Sequence, residues 1–333
     1  MTLSPFLSLH YLSTEALSDL IRRQGPQLLC VVAYGAGRPA DLPSSCLFAK
    51  APLQSVDKTP VFEVWTTRHA CRITTQGGIT IAHNDEVTFG IAPFSEEQGA
   101  TLEATVEHVY RNIFDGLDPR AAATPIRFWN YLAGITRDEN GLERYRRFNM
   151  GRHEAFSDRL KLPLPPVASG LGSRDGRSLI YFLAAQTPAQ PIENPRQVSA
   201  FDYPPLYGPR SPRFSRAGLF SQDGENLLML SGTASIVGHQ TIHQGDLSAQ
   251  LEVTLENMRL LIAGGESLGF PEGAEDWRIK AYIRHEEDLA AVQRRVEERF
   301  PNAQRIYLSA DICRPDLLVE IEALCFAGSR EGA

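Results

Sequence analysis

The stretch SGTASIVGHQTIHQGDLSAQLEVTLENMRLLI, residues 231–262, decides the fold of this chain. It starts at the end of a predicted strand, crosses a loop that holds Gly238 and Gly245, and continues into a predicted helix over residues 246–263. Apolar residues recur in that helix at helical spacing, at Leu247, Leu251, Leu255, Met258 and Ile262. Such a stripe packs on a sheet, so the stretch predicts a layer of helices on a layer of strands.

The same pattern continues on both sides of this stretch. Strands are predicted before it at residues 179–184, 216–220 and 227–231, and after it at residues 279–284, 306–313 and 317–324. A second helix carries apolar residues at Leu289, Val292, Val296 and Phe300. The second half of the chain therefore predicts several strands with two helices on one face.

The first half has a comparable order of elements. Strands are predicted at residues 28–34, 61–66 and 78–82, before a helix at residues 98–114 with apolar residues at Leu102, Val106, Val109 and Ile113. Residues 160–178 are rich in proline and glycine, which is typical of a linker or long loop. We expect an α+β fold in two similar halves, residues 1–160 and 161–333.

Composition excludes several classes of function. The 333 residues include 33 Lys and Arg against 40 Asp and Glu, for a net charge of −7, so a nucleic-acid partner is not expected. The longest apolar run, residues 28–34, is too short to span a membrane, and no secretory signal is found, so we expect a cytoplasmic protein. Five cysteines without a C-x-x-C pair predict reduced thiols.

The segment DICRPDLLVEIEAL, residues 311–324, contains the sharpest chemical signal. Alternation along a strand places Glu320 and Glu322 on one face, where one carboxylate borders a pocket or both are solvated; the pattern alone favours solvation. A hairpin through the short turn after Cys313 would bring its thiol near Glu320. The alternative for Cys313 is a small buried hydrophobic residue, which the pattern favours.

Two further segments offer binding groups. Gly232 and Thr233 end a strand with small residues and free backbone N–H groups, although glycines at strand ends are also common for steric reasons. His239 and His243 lie in a loop without a supporting carboxylate motif, and no metal is expected there.

The segment YGPRSPRFSRA, residues 207–217, places three arginines, Arg210, Arg213 and Arg216, beside Tyr207. Arginine binds carboxylates through paired hydrogen bonds, so this segment suits an anionic small molecule; a solvated loop is about equally compatible with the composition. Arg152, directly after Gly151, stands apart from the other arginines of its helix.

Several of these pieces resemble the Rid/YjgF superfamily of enamine and imine hydrolases. SG at residues 231–232, GD at residues 245–246, the Q-x-x-x-x-L-x-N helix and VEIEA near the end follow that family's order. GGITIAHNDEVTFGIAP, residues 77–93, and LEATVEHVYRNIF, residues 102–114, are similar to a degenerate copy of the same unit. The resemblance implies two halves of mixed β-sheets packed on helices, with the active site in the second.

The whole chain is similar to the chorismatase family, which joins two Rid-like halves in one polypeptide. Five motifs carry the resemblance: RFWNYLAGI, RYRRFNMGRHEAF, YGPRSPRFSRA, SGTASIVGH and ADICRPDLLVEIEA. The resemblance implies chorismate as the substrate, pyruvate as one product, and neither a metal nor an organic cofactor.

The resemblance also implies roles for individual residues. Glu320 matches the catalytic acid, which protonates the methylene carbon of the enolpyruvyl group. The cations expected at the two substrate carboxylates are Arg152, Arg210 and Arg216, with a hydroxyl from Tyr207. Gly232 and Thr233 complete the predicted binding set. Arg305 lies at the position of the carboxylate-binding arginine of Rid proteins and is a minor candidate.

The family divides by product, and two positions favour the branch that forms 3-hydroxybenzoate. That branch has a cysteine seven residues before the acid, as Cys313 stands here, and a glycine at the position of Gly232. Some 4-hydroxybenzoate remains compatible with the sequence. The alternatives are hydrolysis to a dihydroxy-cyclohexadiene carboxylate, Rid-type enamine or imine hydrolysis, and a binding module for aromatic acids. We expect either a monomer or a homotrimer.

Overall fold

The computed structural model describes residues 5–118, 120–160 and 162–328. Within those residues, three large sheets surround a common core and five α-helices cover their outer faces. No helix in these ranges combines the length and the hydropathy that a membrane crossing requires.

The N-terminal part forms a four-stranded sheet in the order β1-β5-β2-β3. Its elements are β1 (Leu7–Leu12), α1 (Thr14–Gln24), β2 (Leu28–Tyr34), β3 (Leu47–Lys50), the short β4 (Gln54–Ser55), and β5 (Val61–Thr67). The Ser13 hydroxyl accepts a hydrogen bond from the Ala16 N–H and so caps α1. The predicted strands at residues 28–34 and 61–66 are confirmed, but they build this separate sheet and not a copy of the second half.

The next part forms the first repeat, a sheet with two helices on its outer face. Its elements are β6 (Arg72–Gln76), β7 (Ile79–His83), β8 (Val87–Phe94), α2 (Leu102–Leu117), β9 (Thr124–Ala133), the short β10 (Asp138–Glu139) and β11 (Leu142–Glu143), α3 (Arg144–Arg159), β12 (Val167–Ser173) and β13 (Ser178–Ala185). The sheet order is β12-β9-β13-β8-β7-β6, and β9 and β12 run parallel.

The remainder forms the second repeat. Its elements are β14 (Gln190–Ile192), β15 (Ala217–Gln222), β16 (Glu225–Thr233), the short β17 (Ile236–Val237) and β18 (Gln240–Thr241), α4 (Leu247–Ser267), β19 (Asp276–Ile283), α5 (Leu289–Arg299), β20 (Gln304–Ser309), the short β21 (Asp311–Ile312) and β22 (Val319–Gly328). The sheet order is β14-β15-β16-β22-β19-β20-β4, and β21 joins the first repeat by pairing with β12.

The two repeats have the same topology, which confirms the prediction of two similar halves. The order β7-β8-β13-β9-β12 in the first sheet matches β15-β16-β22-β19-β20 in the second, with a parallel pair in each. β12 and β13, the last two strands of the first repeat, follow residue 160. The chain passes to the second sheet only after Ala185, so the predicted boundary at 160/161 is corrected. Residues 160–178 are not a linker, because β12 lies within them.

The strand predicted at residues 179–184 therefore belongs to the first repeat as β13. This strand, SLIYFLAA, occupies the place that β22, VEIEALCFAG, has in the second repeat. The first repeat thus has aliphatic and aromatic side chains where the second has two glutamates. Only the second repeat supplies acidic side chains from this strand.

The cores explain which faces become buried. α2 and α3 cover the outer face of the first sheet, and α4 and α5 cover that of the second. The inner faces of both sheets meet each other and the N-terminal sheet in a central core. Alternation along β22 places Glu320 and Glu322 on one face of the strand. That face is the inner one, so both side chains point into the molecule and not into solvent.

Candidate active site

A cavity of about 580 Å³ lies between the two repeats. Its walls come from α3 and β12 of the first repeat and from β16, β22 and three loops of the second. The polar groups that line it are Glu143, Tyr145, Arg146, Arg152, Ser169, Tyr203, Tyr207, Arg216, Gln240, Thr241, Gln244, Cys313, Arg314, Asp316 and Glu320. The cavity is therefore shared by both repeats, whereas the resemblance implies an active site in the second half with only Arg152 from the first.

The α4 helix holds two of the cavity walls in place. Asp246 caps its N-terminus by accepting a hydrogen bond from the backbone of the first turn. Gln250 accepts from the Leu318 N–H at 2.8 Å and donates to the Asp316 carbonyl at 2.8 Å. Asn257 donates to the carbonyls of Ala234 and Ile236 at 3.1 and 3.0 Å. The Q-x-x-x-x-L-x-N motif thus fixes the loop before β22 and the loop after β16.

Glu320 lies on the cavity wall and is only 4% exposed. Burial is the main reason that its pKa rises to about 8, and the negative charge of Glu322 acts in the same direction. Three nearby arginines oppose this rise without cancelling it: Arg127, Arg216 and Arg284. At neutral pH the carboxyl is protonated, so Glu320 can donate a proton into the cavity.

Glu322 is the opposite case, because its partners keep it ionised. Burial would raise its pKa, but Lys280 and Arg127 hold it below the usual value. One carboxylate oxygen accepts from Lys280 Nζ at 3.0 Å and Trp129 Nε1 at 2.7 Å. The other accepts from Arg127 Nη2 at 2.8 Å and the Ser169 hydroxyl at 2.6 Å.

A second carboxylate balances the charges of this buried cluster. Lys280 Nζ also lies 2.8 Å from Glu63 Oε2 on the N-terminal sheet. Two cations therefore face two carboxylates, and the cluster has no net formal charge. An ionised Glu320 would add an unpaired negative charge beside it, which is why the neutral acid is favoured.

Gly232 lies against the carboxyl of Glu320. A Cβ atom at this position would stand 1.8 Å from Glu320 Oε1, so only glycine leaves the carboxyl where it is. The β16–β22 ladder is also irregular between Leu230 and Thr233. The Gly232 N–H donates across the cavity wall to Ser169 Oγ at 2.9 Å.

Cys313 lines the cavity together with Glu320, as predicted, but by a different route. The predicted hairpin is wrong, because β19 lies between β20 and β22. The cysteine follows β21 in a loop that turns back to the cavity. Burial and the nearby Glu320 raise the pKa of its thiol to about 12, so the sulfur is a neutral S–H.

Two of the four arginines that line the cavity are buried. Arg152 on α3 is 2% exposed, and its Nη2 donates to Asn149 Oδ1 at 3.0 Å. Arg216 is 4% exposed, and its Nη2 donates to the Tyr203 hydroxyl at 2.6 Å. Neither forms an ion pair with a carboxylate among the residues that the structure describes, and both Nε atoms lack a partner there. Buried guanidinium groups with free donors favour an anionic ligand.

Comparison with known proteins identifies the fold and the family. A family model for the N-terminal part of FkbO/Hyg5-like chorismatases matches residues 63–184. A 3-hydroxybenzoate synthase of Streptomyces hygroscopicus is 41% identical over 280 residues, which are 80% of this chain and 81% of that protein. A chorismatase of Streptomyces rapamycinicus is 39% identical over 274 residues, 79% of this chain and 81% of that protein.

The chain belongs to the chorismatase family. A chorismatase crystal structure superimposes with a TM-score of 0.86 at 31% identity, covering 96% of this chain and 98% of that one. The predicted family and the predicted α+β fold are both confirmed.

Two of the predicted binding residues do not line the cavity of this chorismatase fold. The Arg210 side chain is half exposed, and its Nη2 lies 3.3 Å from Glu154 Oε1. Thr233 is buried, and its hydroxyl donates to the Ser231 carbonyl at 3.0 Å. Because neighbouring side chains on a strand point to opposite faces, Thr233 points away from the face on which Gly232 meets Glu320.

The remaining sequence candidates divide between the cavity and the surface. Tyr207 lines the cavity, and its hydroxyl lies 3.1 Å from His239 Nδ1. Arg213 donates to the Ser157 hydroxyl on α3. Arg305 donates to backbone carbonyls at Ala303 and Pro301, away from the cavity.

Sequence reasoning missed several cavity residues, two of which lie inside the chorismatase motifs. Tyr145 belongs to the RYRRFNMGRHEAF segment and lies on α3. Arg314 directly follows Cys313, and its guanidinium lies 4.4 Å from the centre of the Tyr207 ring. Ser169 lies in the segment that resembled a linker. The motif membership of Tyr145 and Arg314 was the available signal, whereas Ser169 had none.

Proposed function

We propose that this chain converts chorismate into 3-hydroxybenzoate and pyruvate, with Glu320 as the acid. The observation that carries this proposal is a protonated carboxyl buried in a cavity where Arg152 and Arg216 have free donors. Chorismate is a dianion with an acid-labile enol ether, so it needs both features. The names of the relatives, 3-hydroxybenzoate synthase and chorismatase, support the same substrate.

Binding of the substrate would use the cations of the two repeats. Arg152 comes from α3 and Arg216 from the segment before β15, so the two guanidinium groups approach from different walls. Each can donate a charge-assisted hydrogen bond to a carboxylate. Arg314 and the Tyr207 hydroxyl add donors beside them. Binding by both repeats would orient the enol ether toward Glu320.

The chemistry starts with transfer of the Glu320 proton to the methylene carbon of the enolpyruvyl group. The π electrons form the new C–H bond, and the resulting oxocarbenium ion is a good leaving group. The ring hydroxyl oxygen then attacks the neighbouring ring carbon, whose bond to the ether oxygen breaks and releases pyruvate. The hydroxyl proton passes to the Glu320 carboxylate and restores the acid, and the ring oxygen now bridges two ring carbons as an epoxide. The epoxide bond to the carbon that first carried the hydroxyl breaks, the other carbon loses its C–H proton, and the oxygen takes up a proton, which gives 3-hydroxybenzoate with no net proton consumed.

The choice of product would depend on the surroundings of the ring hydroxyl. Cys313 presents a neutral thiol beside Glu320, and Gly232 leaves the carboxyl in contact with the strand. We infer that these two residues favour attack by the ring hydroxyl over attack by water. The aromatic product can still be a mixture of 3-hydroxybenzoate and 4-hydroxybenzoate.

The test is incubation of the purified protein with chorismate, with pyruvate and the aromatic products measured together. We expect equal amounts of pyruvate and hydroxybenzoate from the wild type and neither from Glu320→Gln. Pyruvate with a dihydroxy-cyclohexadiene carboxylate would indicate the hydrolytic branch. Absence of pyruvate would refute the proposal and leave enamine or imine hydrolysis or simple binding.

A further inference from the structure

Ser169 has all the hydrogen-bonding capacity of its hydroxyl engaged. It lies on β12 of the first repeat, is buried, and borders the cavity. Its hydroxyl donates to Glu322 Oε2 at 2.6 Å and accepts from Arg127 Nη2 at 2.7 Å and from the Gly232 N–H at 2.9 Å. A hydroxyl has one donor and two acceptor sites, so this arrangement has a single orientation.

The bond to Gly232 holds a part of β16 that its own sheet does not hold. The ladder between β16 and β22 is interrupted between Leu230 and Thr233. The Gly232 N–H is therefore bonded across the cavity wall to Ser169 instead of to β22. Because Gly232 packs directly on the Glu320 carboxyl, a shift of this segment would move that carboxyl or admit water beside it.

We propose that Ser169 is a positioning residue of the active site. Through one hydroxyl it joins the Glu322–Arg127 ion pair to the backbone of Gly232, and so fixes the surface against which Glu320 rests. The first repeat, which lacks an acid of its own on β13, would thereby set the geometry of the acid on the second. The kinetic test of this inference rests on the proposed function. A second test, the titration of Glu320, does not depend on that function.

The titration of Glu320 reports on this surface. The charged and titratable groups that face it come from every neighbouring element: Glu322 on β22, Arg127 on β9, Arg216 before β15, Arg284 after β19, Cys313 after β21 and Tyr145 on α3. The change Ser169→Ala removes none of these charged groups, and Lys280 and Arg127 still hold Glu322 ionised when the Ser169 hydrogen bond is lost. A change in the titration would therefore come from the burial of Glu320, which is the main cause of its raised pKa.

The experiment compares Ser169→Ala with Ser173→Ala. Ser173 lies on the same strand, is equally buried, and donates its hydroxyl to the Arg177 carbonyl outside the site. For Ser169→Ala we expect kcat to fall about tenfold with little change in KM, because a misplaced acid slows chemistry more than binding. The fall in kcat/KM at high pH should also begin at lower pH than in the wild type. Ser173→Ala should match the wild type in all three.

The second readout is an infrared pH titration of the protonated carboxyl band that Glu320→Gln removes. Ser169→Ala should move its midpoint to lower pH, and Ser173→Ala should not. If the wild type releases pyruvate and both serine variants behave alike, the inference is wrong and the proposed function stands. If the wild type releases no pyruvate, the proposed function is wrong, and the infrared midpoints alone decide the role of Ser169.

Discussion

Glu320 and Glu322 are two residues apart on one strand, yet their surroundings push their pKa values in opposite directions. Glu322 meets Lys280 and Arg127 in a cluster without net charge. Glu320 is buried and has no such ion pair among residues 5–118, 120–160 and 162–328, and its pKa rises to about 8. One carboxyl is thereby kept as a proton donor and the other as a fixed negative charge.

This difference predicts how stability depends on pH. The pKa of Glu320 rises from an ordinary 4.5 to about 8 on folding, so unfolding releases a proton between these values and wild-type stability falls as pH increases. Glu320→Gln removes this loss. The free energy of unfolding of Glu320→Gln minus that of the wild type should therefore be about 3 kcal/mol larger at about pH 8 than at about pH 5. Urea denaturation of both proteins at each pH would measure this difference. A difference that does not change with pH would contradict a buried, protonated Glu320.

The cysteine at the cavity predicts a change of product. The pKa of the Cys313 thiol rises to about 12, so the thiol is too weak an acid to replace Glu320 and does not form a thiolate at neutral pH. Its effect would come from shape and a weak hydrogen bond. Cys313→Ala should lower the yield of 3-hydroxybenzoate more than it lowers chorismate consumption. Cys325→Ala is the matched control, because that cysteine is buried on β22 outside the cavity. An unchanged product ratio in Cys313→Ala would exclude the role.

At the scale of elements, the loop before β15 places two arginines in different surroundings, one in the cavity and one at the surface. Arg210 and Arg216 are six residues apart in one arginine-rich segment. Arg216 turns into the cavity, where Tyr203 and Phe214 pack on its guanidinium, whereas Arg210 extends to Glu154 at the surface. A loop has no side-chain periodicity, so both arginines were equally expected to bind the substrate.

The two arginines predict a contrast in binding. Arg216→Met should raise KM for chorismate about tenfold or more, because a charge-assisted hydrogen bond is worth about 1.5–3 kcal/mol. Arg210→Met should leave KM near the wild-type value, since its surface ion pair lies outside the cavity. Steady-state kinetics of pyruvate release would measure both. Equal effects of the two changes would contradict the assignment of Arg216 to the substrate.

At the scale of the whole molecule, one buried cluster connects all three large sheets. Glu63 comes from the N-terminal sheet, Arg127 from the first repeat, and Lys280 and Glu322 from the second. The cluster lies in the central core behind Glu320. The three sheets therefore support the wall of the cavity together. A monomer and a homotrimer, both in the cytoplasm, remain predictions.

The cluster predicts a large loss of stability when its shared cation is removed. Lys280→Met leaves Glu63 and Glu322 facing each other without Lys280, which should cost about 3–5 kcal/mol in the free energy of unfolding. The double change Lys280→Met with Glu63→Gln should recover part of that loss. Lys50→Met, at an exposed position, serves as the control. Urea denaturation would measure the series, and a loss equal to that of the control would show that the cluster does not stabilise the fold.

The sequence alone determined the repeated α+β pattern and the family, and it predicted Glu320 as the acid, because periodicity and motifs are local properties of the chain. Strands such as β2 and β19 and the helix α4 were placed nearly at their observed bounds. The tertiary structure decided what depends on distant segments meeting. β12 and β13 belong to the first repeat, and Glu320 points inward. Arg216 lines the cavity whereas Arg210 does not, and Ser169 accepts a hydrogen bond from Gly232. The raised pKa of Glu320 belongs to this second group, because burial and charge pairing arise only when both sheets close around the cavity.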